Sequence, residues 1–333
     1  MENLFQTVAP TWLWVTFVAI VLLALFVDFV LLRKQGAHEV GFRQALHWSI
    51  VWVAVSFVFN GLFWWAVKDS TGSTEEANTR SLEFLTGYLI EKSLAVDNIF
   101  VFLMIFTYFA VPPAFQKRVL MIGIVGAIVL RTVMILLGGW LLAQFHWILY
   151  VFGAFLILTG VKMWIAAGRE QTLDDNPALK LLRKLMPVSQ HYDGEKFFTF
   201  ENGKKIATPL FMVIALVALT DIIFAVDSIP AIFGLTENVY VVVTANVFAL
   251  MGLRQLYFLI GGLMQRLVYI GKGLSVILGF IGIKLLFHAF HAVDIHKIGG
   301  FKIPDITITQ SLTVIVSCLA VATIASLIKT ARK

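Results

Sequence analysis

Glu91 and Asp97 lie six residues apart in EKSLAVDNIF (91–100), and Asp221 and Asp227 lie six residues apart in TDIIFAVDSIPAIF (220–233). Superposing the shared Ala-Val-Asp places Asp97 on Asp227, Asn98 on Ser228 and Glu91 on Asp221. Each stretch therefore reads as an acid, five residues, an aspartate and a small polar residue, set in an otherwise apolar run. An ionisable group at the centre of a membrane helix costs about 2.5–3.5 kcal/mol on insertion scales, so it persists only with a partner, a cation or water. Two such sites in matched positions predict an internal repeat built around an ion.

Helix geometry limits what each stretch can do. Residues i and i+6 lie about 120° apart and about 9 Å along the axis, so one helix cannot wrap both of its acids around one ion. Residues i and i+7 share a face, which pairs Glu91 with Asn98. Two facing copies could bring Asp97, Asp227, Asn98 and Ser228 to one level. Pro230 cannot donate to the carbonyl of Val226, which predicts a helix break there and free carbonyl ligands. Carboxylates, an amide oxygen, a hydroxyl and carbonyls form a hard oxygen set. That set suits Mn²⁺, Mg²⁺ or Ca²⁺ as a transported ion, with no organic cofactor. The alternative is that the aspartates only pair with basic residues and hold a helix bundle together. A third use of paired aspartates, intramembrane proteolysis, lacks the Gly-x-Gly-Asp setting around both Asp97 and Asp227.

The elements that must position these groups are membrane helices. Of the 333 residues, 59% are hydrophobic and 14% charged, and the mean hydropathy is +0.87. Soluble chains of this length rarely have such a composition, and polytopic membrane proteins do. About nine segments are long enough to span the hydrocarbon layer. They fall near 11–32, 46–67, 82–109, 117–138, 144–166, 208–234, 238–263, 270–292 and 309–328. The first, carrying Asp28 and no basic leader, is not read as a signal peptide. Counted over alternate loops, 17 Lys and Arg fall on one side and four on the other. The positive-inside rule then places the N-terminus outside and the C-terminus in the cytoplasm of a multi-pass inner-membrane protein. The same rule explains the net charge of +6 without a nucleic-acid partner. The one cysteine, Cys318, excludes an intrachain disulfide and a thiolate metal cluster.

The repeat extends past the acids. Leu-Arg recurs at Arg131 and Arg254, and Gly-(Val/Ile)-Lys recurs at Lys162 and Lys284. This predicts two inverted three-helix units, 82–166 and 208–292, joined by a cytoplasmic linker at 167–207. Residues 1–81 add two peripheral helices, and 293–333 an extracytoplasmic loop and a last helix. Within the linker, 177–186 reads as an amphipathic helix and 197–206 as a hairpin turning at Asn202-Gly203. A plain linker is the preferred reading over a small cap. Five bases, Lys92, Arg131, Lys162, Arg254 and Lys284, nearly balance Asp28 and the four acids. Left unpaired, the ten charges would cost on the order of 25–35 kcal/mol. They must therefore meet in a polar interior, where the bases would balance the charge of an empty acidic site. His288, His291, Asp294 and His296 in HAFHAVDIH have metal-ligand spacing but read better as solvated loop residues. The tryptophans read as interfacial belts or packing, and Asn60, Asn246 and Asp28 as hydrogen-bonding groups between helices.

EKSLAVDN and TDIIFAVDSIPAIF resemble the two signature stretches of the TerC family of bacterial integral membrane proteins. FLTGYLIEKSLAVDN, QKRVLMIGIVGAIVLRTVMI and WILYVFGAFLILTGVKM carry the likeness over nearly the whole chain, nearest to the Alx-like branch. The resemblance implies a relation to LysE-type exporters, two inverted three-helix units and Mn²⁺ export. Glu91, Asp97, Asp221 and Asp227 match the family's metal path. Members of that branch often carry an acid three residues before the position of Asp221, where this chain has Ala218. A role as a membrane scaffold or insertion partner has also been proposed for such proteins, and is the competing expectation. Nothing in the sequence fixes an oligomeric state.

Overall fold

The structure is a computed structural model that describes residues 10–35, 41–166, 177–185, 187–189, 191–201, 203–261, 267–298 and 301–331. It is almost wholly helical. In chain order the elements are α1 (Thr11–Gln35), α2 (Phe42–Thr71), α3 (Thr74–Tyr108), α4 (Pro113–Gln144), α5 (Ile148–Ala166), α6 (Pro177–Leu185), β1 (Phe198–Glu201), β2 (Lys204–Ala207), α7 (Pro209–Phe233), α8 (Val239–Leu250), α9 (Leu253–Gly261), α10 (Ile270–His291), β3 (Lys297–Ile298), β4 (Phe301–Lys302) and α11 (Ile308–Ala331).

Seven helices are long and apolar enough to cross a membrane: α1, α2, α4, α5, α7, α10 and α11. The pair α8 and α9, bent by 42° at Met251-Gly252, makes an eighth if counted as one span. The ninth expected segment is α3, whose 35 residues are ample in length. Glu83, Glu91, Lys92 and Asp97 take it outside an apolar criterion. Two expectations need correction. The span read as 238–263 is two helices, because Gly252 has φ +79°, a left-handed conformation that ends α8 and that a glycine adopts without strain. Pro230 breaks nothing: α7 runs through it and ends at Phe233. A proline in the last turn removes one ladder bond near an end where the helix is already closing.

Local chemistry sets the helix ends. Gly72 closes α2 in the left-handed conformation. The next residue, Ser73, caps α3 by accepting from the Glu76 amide at 3.2 Å, and Glu75 and Glu76 complement the helix dipole. Thr208 caps α7 ahead of Pro209. Asn238 caps α8, accepting from the amides of Tyr240 and Val241.

The packing partners follow from the small residues. A side chain at Gly153 of α5 would meet Leu286 and the Gly282 carbonyl of α10, and one at Gly160 would meet the Ser275 carbonyl at 2.8 Å. Numbers rise along α5 as they fall along α10, so these two helices are antiparallel and nearly touch through their backbones. Gly123 faces Val217, and Gly138 faces Ile229 and Phe233, so α4 runs parallel to α7. Gly87 faces Ala245 and Ile232. It packs α3 against both α8 and α7. α8 lies buried along its whole length, which explains why its sequence has no polar face. By contrast Val15, Phe26, Val58, Leu158 and Val321 are each more than 60% exposed. This apolar outer surface fits hydrocarbon, not water.

The segment before α7 folds into a small cap instead of a plain linker. β1 and β2 pair antiparallel from Phe198–Ala207 to Glu201–Lys204, as the hairpin reading predicts, and Val188 bridges to Ala207. Leu179 and Leu182 of α6 are buried, although the N-terminal part of the expected linker, 167–176, lies outside the described residues. Tyr192 donates to the Phe109 carbonyl at 2.7 Å, tying the cap to the end of α3. Burial pushes its phenol up to about 12.

Candidate functional site

α3 and α7 lie antiparallel at the centre of the bundle. Glu91 sits beside Ser228, while Gly87, one turn earlier, faces Ile232. Seven residues are two turns of helix, so Asn98, seven residues after Glu91, lies level with Asp221, seven residues before Ser228. The four side chains form a rectangle in which each helix contributes one carboxylate and one neutral oxygen group. Glu91, Asn98, Asp221 and Ser228 are each 4% exposed or less.

Arg131 enters this rectangle from α4. Its Nη1 donates to Glu91 Oε2 at 2.7 Å, its Nη2 to Asp221 Oδ1 at 2.9 Å, and its Nε to Asp221 Oδ2 at 3.4 Å. The guanidinium is 2% exposed. A fork of donors satisfies two carboxylates from two helices at once, which a lysine could not do with the same geometry. By formal count, two acids and one base give the cluster one negative charge in excess. Asn98 Oδ1 has no hydrogen-bond partner among the described residues, and Glu91 and Ser228 approach each other without a well-aligned hydrogen bond. Each such buried group costs about 1–3 kcal/mol, so the arrangement is neither a relaxed core nor a closed ion pair.

The other predicted residues fall elsewhere. Asp97 and Asp227 each precede the inward residue by one position, so they point about 100° away from it and are only half-buried. Asp97 makes no hydrogen bond or ion pair among the described residues. Asp227 accepts from Thr159 Oγ1 of α5 at 3.3 Å, with Lys162 near enough to act on its charge. The expected meeting of Asp97, Asp227, Asn98 and Ser228 at one level is thus replaced by Glu91, Asn98, Asp221 and Ser228, because helix phase, not the shared Ala-Val-Asp, decides which side chain faces inward. Ala218 lies on the exposed face of α7, away from this centre.

Of the five bases, Arg131 alone makes an ion pair with one of the four acids. Lys92 donates to the carbonyls of Ala249 at 3.1 Å and Met251 at 3.0 Å. Arg254 pairs with Asp28 of α1 at 3.1 Å, and Gln255 donates to the same carboxylate at 2.9 Å. This network anchors the peripheral α1 to α9. Lys284 is half-buried near Glu83 and Asp305. Nearby, Thr236 donates to Glu83 at 2.7 Å, and His288 lies 3.2 Å from Glu237. That hydrogen bond holds the Glu237 carboxyl below its usual range. The rings of His291 and His296 lie 5.1 Å apart, tilted by 40°. Among the described residues no three His, Cys, Asp or Glu side chains are grouped tightly enough to hold a metal ion, at this loop or at the centre. Any dication at the centre must use the neutral oxygens or displace Arg131.

Sequence reasoning missed Thr159 and the α8–α9 break. The second had a signal in Met251-Gly252, a glycine inside an otherwise unbroken apolar run.

The model of the integral membrane protein TerC family matches residues 76–333. A protein of Escherichia coli strain K12 named Alx, with a provisional description as a membrane-bound redox modulator, is 50% identical over 290 residues, 87% of this chain and 90% of that protein. Its counterpart in Salmonella typhi is 48% identical over 304 residues, 91% of this chain and 94% of its own. An uncharacterised membrane protein of Myxococcus xanthus is 42% identical over 325 residues, 98% and 95% of the two chains. No solved structure matches. With that family model covering α3 to the end of the chain, and relatives of this identity matching nearly end to end, the chain belongs to the TerC family of multi-pass integral membrane proteins.

Proposed function

We propose that this chain exports a divalent metal ion, Mn²⁺ before Mg²⁺ or Ca²⁺, across a bacterial inner membrane, with its N-terminus outside and its C-terminus in the cytoplasm. The observation that carries the reading is the buried rectangle of Glu91, Asn98, Asp221 and Ser228 around Arg131. All its potential ligands are oxygens, the preference of hard cations. Among the described residues Asn98 Oδ1 has no hydrogen-bond partner and the Glu91–Ser228 approach makes no well-aligned one, and the formal charges of the cluster sum to minus one. In this reading Arg131 holds the empty site together. An arriving dication takes the carboxylates, and the guanidinium withdraws along α4.

Two inverted repeats, α3–α5 and α7–α10, are part of the proposal. Gly282 follows Gly160, and Ser275 follows Gly153, by the same 122 positions. Exchanging the units turns the Gly160–Ser275 approach into the Gly282–Gly153 approach, and both are backbone contacts. The exchange also turns α3 against α8 into α7 against α4. A site between inverted repeats is the arrangement of many secondary transporters.

A second reading, a membrane scaffold or assembly partner, draws on the cap. Phe200 stands 75% exposed on its hairpin, beside Lys204 and Lys205. The redox description attached to the relatives finds little purchase in the chain's own thiols, since Cys318 is its one cysteine. An effect on redox balance would then follow from metal level. Purified protein in liposomes, loaded with a Mn²⁺-sensitive dye, separates the readings. We expect flux from the wild type and at least a tenfold loss in Glu91→Gln and Asp221→Asn. Liposomes that carry folded wild-type protein yet stay closed to Mn²⁺, Mg²⁺ and Ca²⁺ would leave the scaffold as the better account.

A further inference from the structure

Lys92 neighbours Glu91 in sequence but takes no part in the acidic centre. Its ammonium lies against the end of α8, donating to the carbonyls of Ala249 and Met251, and no carboxylate bonds to it among the described residues. A helix end leaves carbonyls without partners, and the helix dipole makes that end negative. In most helices water satisfies them. Here α8 is buried along its whole length, and Met251 is followed by Gly252, over which Trp52 is packed so closely that a Cβ would sit 2.8 Å from its ring.

The surroundings have the composition of a cation cage. The ring of Tyr88 lies 6.0 Å from the Lys92 ammonium, within the range of a cation–π contact, and Tyr88 is 2% exposed with its hydroxyl toward Ser56. Asn246, one turn before Ala249 and Leu250 on α8, is fully buried, and neither its amide oxygen nor its amide nitrogen has a partner. Two carbonyls and an aromatic face are all neutral groups. They suit a single positive charge and lack the carboxylates a dication requires.

We propose that the α8–α9 break is a monovalent-cation site whose resident ion is the tethered ammonium of Lys92, and that removing the tether opens it to free ammonium, K⁺ or Na⁺. The nitrogen–oxygen distances of 3.0 and 3.1 Å match ammonium and favour K⁺ over the smaller Na⁺. The tether has a structural consequence. Glu91 and Lys92 are adjacent on α3, so one helix turn ties the acidic centre to the broken helix. Nothing in this site depends on the identity of the exported ion, or on export itself.

Thermal unfolding of the purified full-length protein in detergent tests it, in choline, ammonium, potassium and sodium chlorides at one ionic strength. In choline, Lys92→Ala unfolds about 5 °C below the wild type, the scale of losing partners for two buried carbonyls in a chain of this size. Ammonium or K⁺ restores at least half of that difference and saturates with concentration, as binding to the folded state requires. The wild type, and Lys92→Met, which fills the space without a charge, show no such cation-specific shift. The proposal is overturned if Lys92→Ala matches the wild type in choline, if all four salts act alike on it, or if Lys92→Met responds as Lys92→Ala does. It is overturned as well if Lys92→Ala folds in none of the salts while Lys92→Met folds. A protein that moves no Mn²⁺ yet shows the cation-specific rescue would overturn the export reading and leave this one standing.

Discussion

The buried guanidinium of Arg131 holds two carboxylates that belong to different helices, and the three groups are unequal in what their loss would do. Arg131→Met leaves Glu91 and Asp221 buried and facing each other without a counter-charge. Breaking a buried network in this way costs about 3–5 kcal/mol. Glu91→Gln leaves a neutral Arg131–Asp221 pair and should cost clearly less. Replacing all three with Met, Gln and Asn removes every charge and should recover most of the stability lost by Arg131→Met alone. Thermal unfolding of the four proteins in detergent checks the order. If Arg131→Met proves no worse than Glu91→Gln, the cluster is not the buried network the distances describe. Much of this centre is legible in the sequence. The pairing of acids across the repeat, the shared face of Glu91 and Asn98, and the basic character of Arg131 all follow from spacing. What spacing could not give was the rotation of each helix about its own axis. Asp97 and Asp227 draw the eye because the motifs align on them, yet helix phase turns the next residue inward.

At the scale of elements, α5 and α10 depend on the absence of side chains at two positions. A Cβ on Gly160 would lie 2.8 Å from the Ser275 carbonyl, and one on Gly282 would lie 2.8 Å from that of Gly153. Both obstacles are backbone, which cannot rotate aside. Gly160→Val and Gly282→Val should therefore push the helices apart and cost at least about 1–3 kcal/mol each, the usual penalty of overpacking. Gly126 on α4 has nothing within 4 Å of where a Cβ would sit. Gly126→Ala should stabilise, by up to about 1 kcal/mol from helix propensity. Unfolding midpoints of the three variants test the contrast, and equal effects at all three sites would sink the close-contact argument. Helix positions were readable because long apolar runs leave few alternatives. Helix ends were less so. α3 starts eight residues before its expected first residue because Ser73, Glu75 and Glu76 look like a polar loop by hydropathy but make a good first turn. The α8–α9 break hides in an unbroken apolar run, where one glycine conformation decides it.

At the scale of the whole molecule, orientation and energy coupling are linked. The cap of α6, β1 and β2 carries Lys180, Lys184, Lys196, Lys204 and Lys205, so the proposed orientation, with the positive-inside rule, puts it on the cytoplasmic side. With Cys318 replaced by alanine, a cysteine at Lys204, an exposed position, should react with an impermeant maleimide only from the cytoplasmic side. Labelling from outside would invert the proposed direction of transport.

Charge balance then constrains the cycle. The centre carries Glu91, Asp221 and Arg131, one negative charge in excess. A dication there reverses the sign, and its departure must restore it. Arg131 cannot supply the balance by losing a proton, since arginine stays protonated in proteins. Two further carboxylates, Asp97 and Asp227, flank the rectangle. They sit at adjoining helix positions, half-buried, and Asp227 has only the Thr159 hydroxyl as a hydrogen-bond partner among the described residues. Carboxylates within membrane helices serve as proton carriers in pumps and transporters. Each dication exported should therefore be exchanged for protons moving inward through these two aspartates. In proteoliposomes with the membrane potential clamped, an inward-directed proton gradient should accelerate Mn²⁺ efflux, and its reversal should slow it. Asp227→Asn should abolish the response to the gradient together with both the metal and the proton flux. Metal flux that ignores an imposed pH difference would make the chain a uniporter, with Asp97 and Asp227 steering the ion instead of carrying protons.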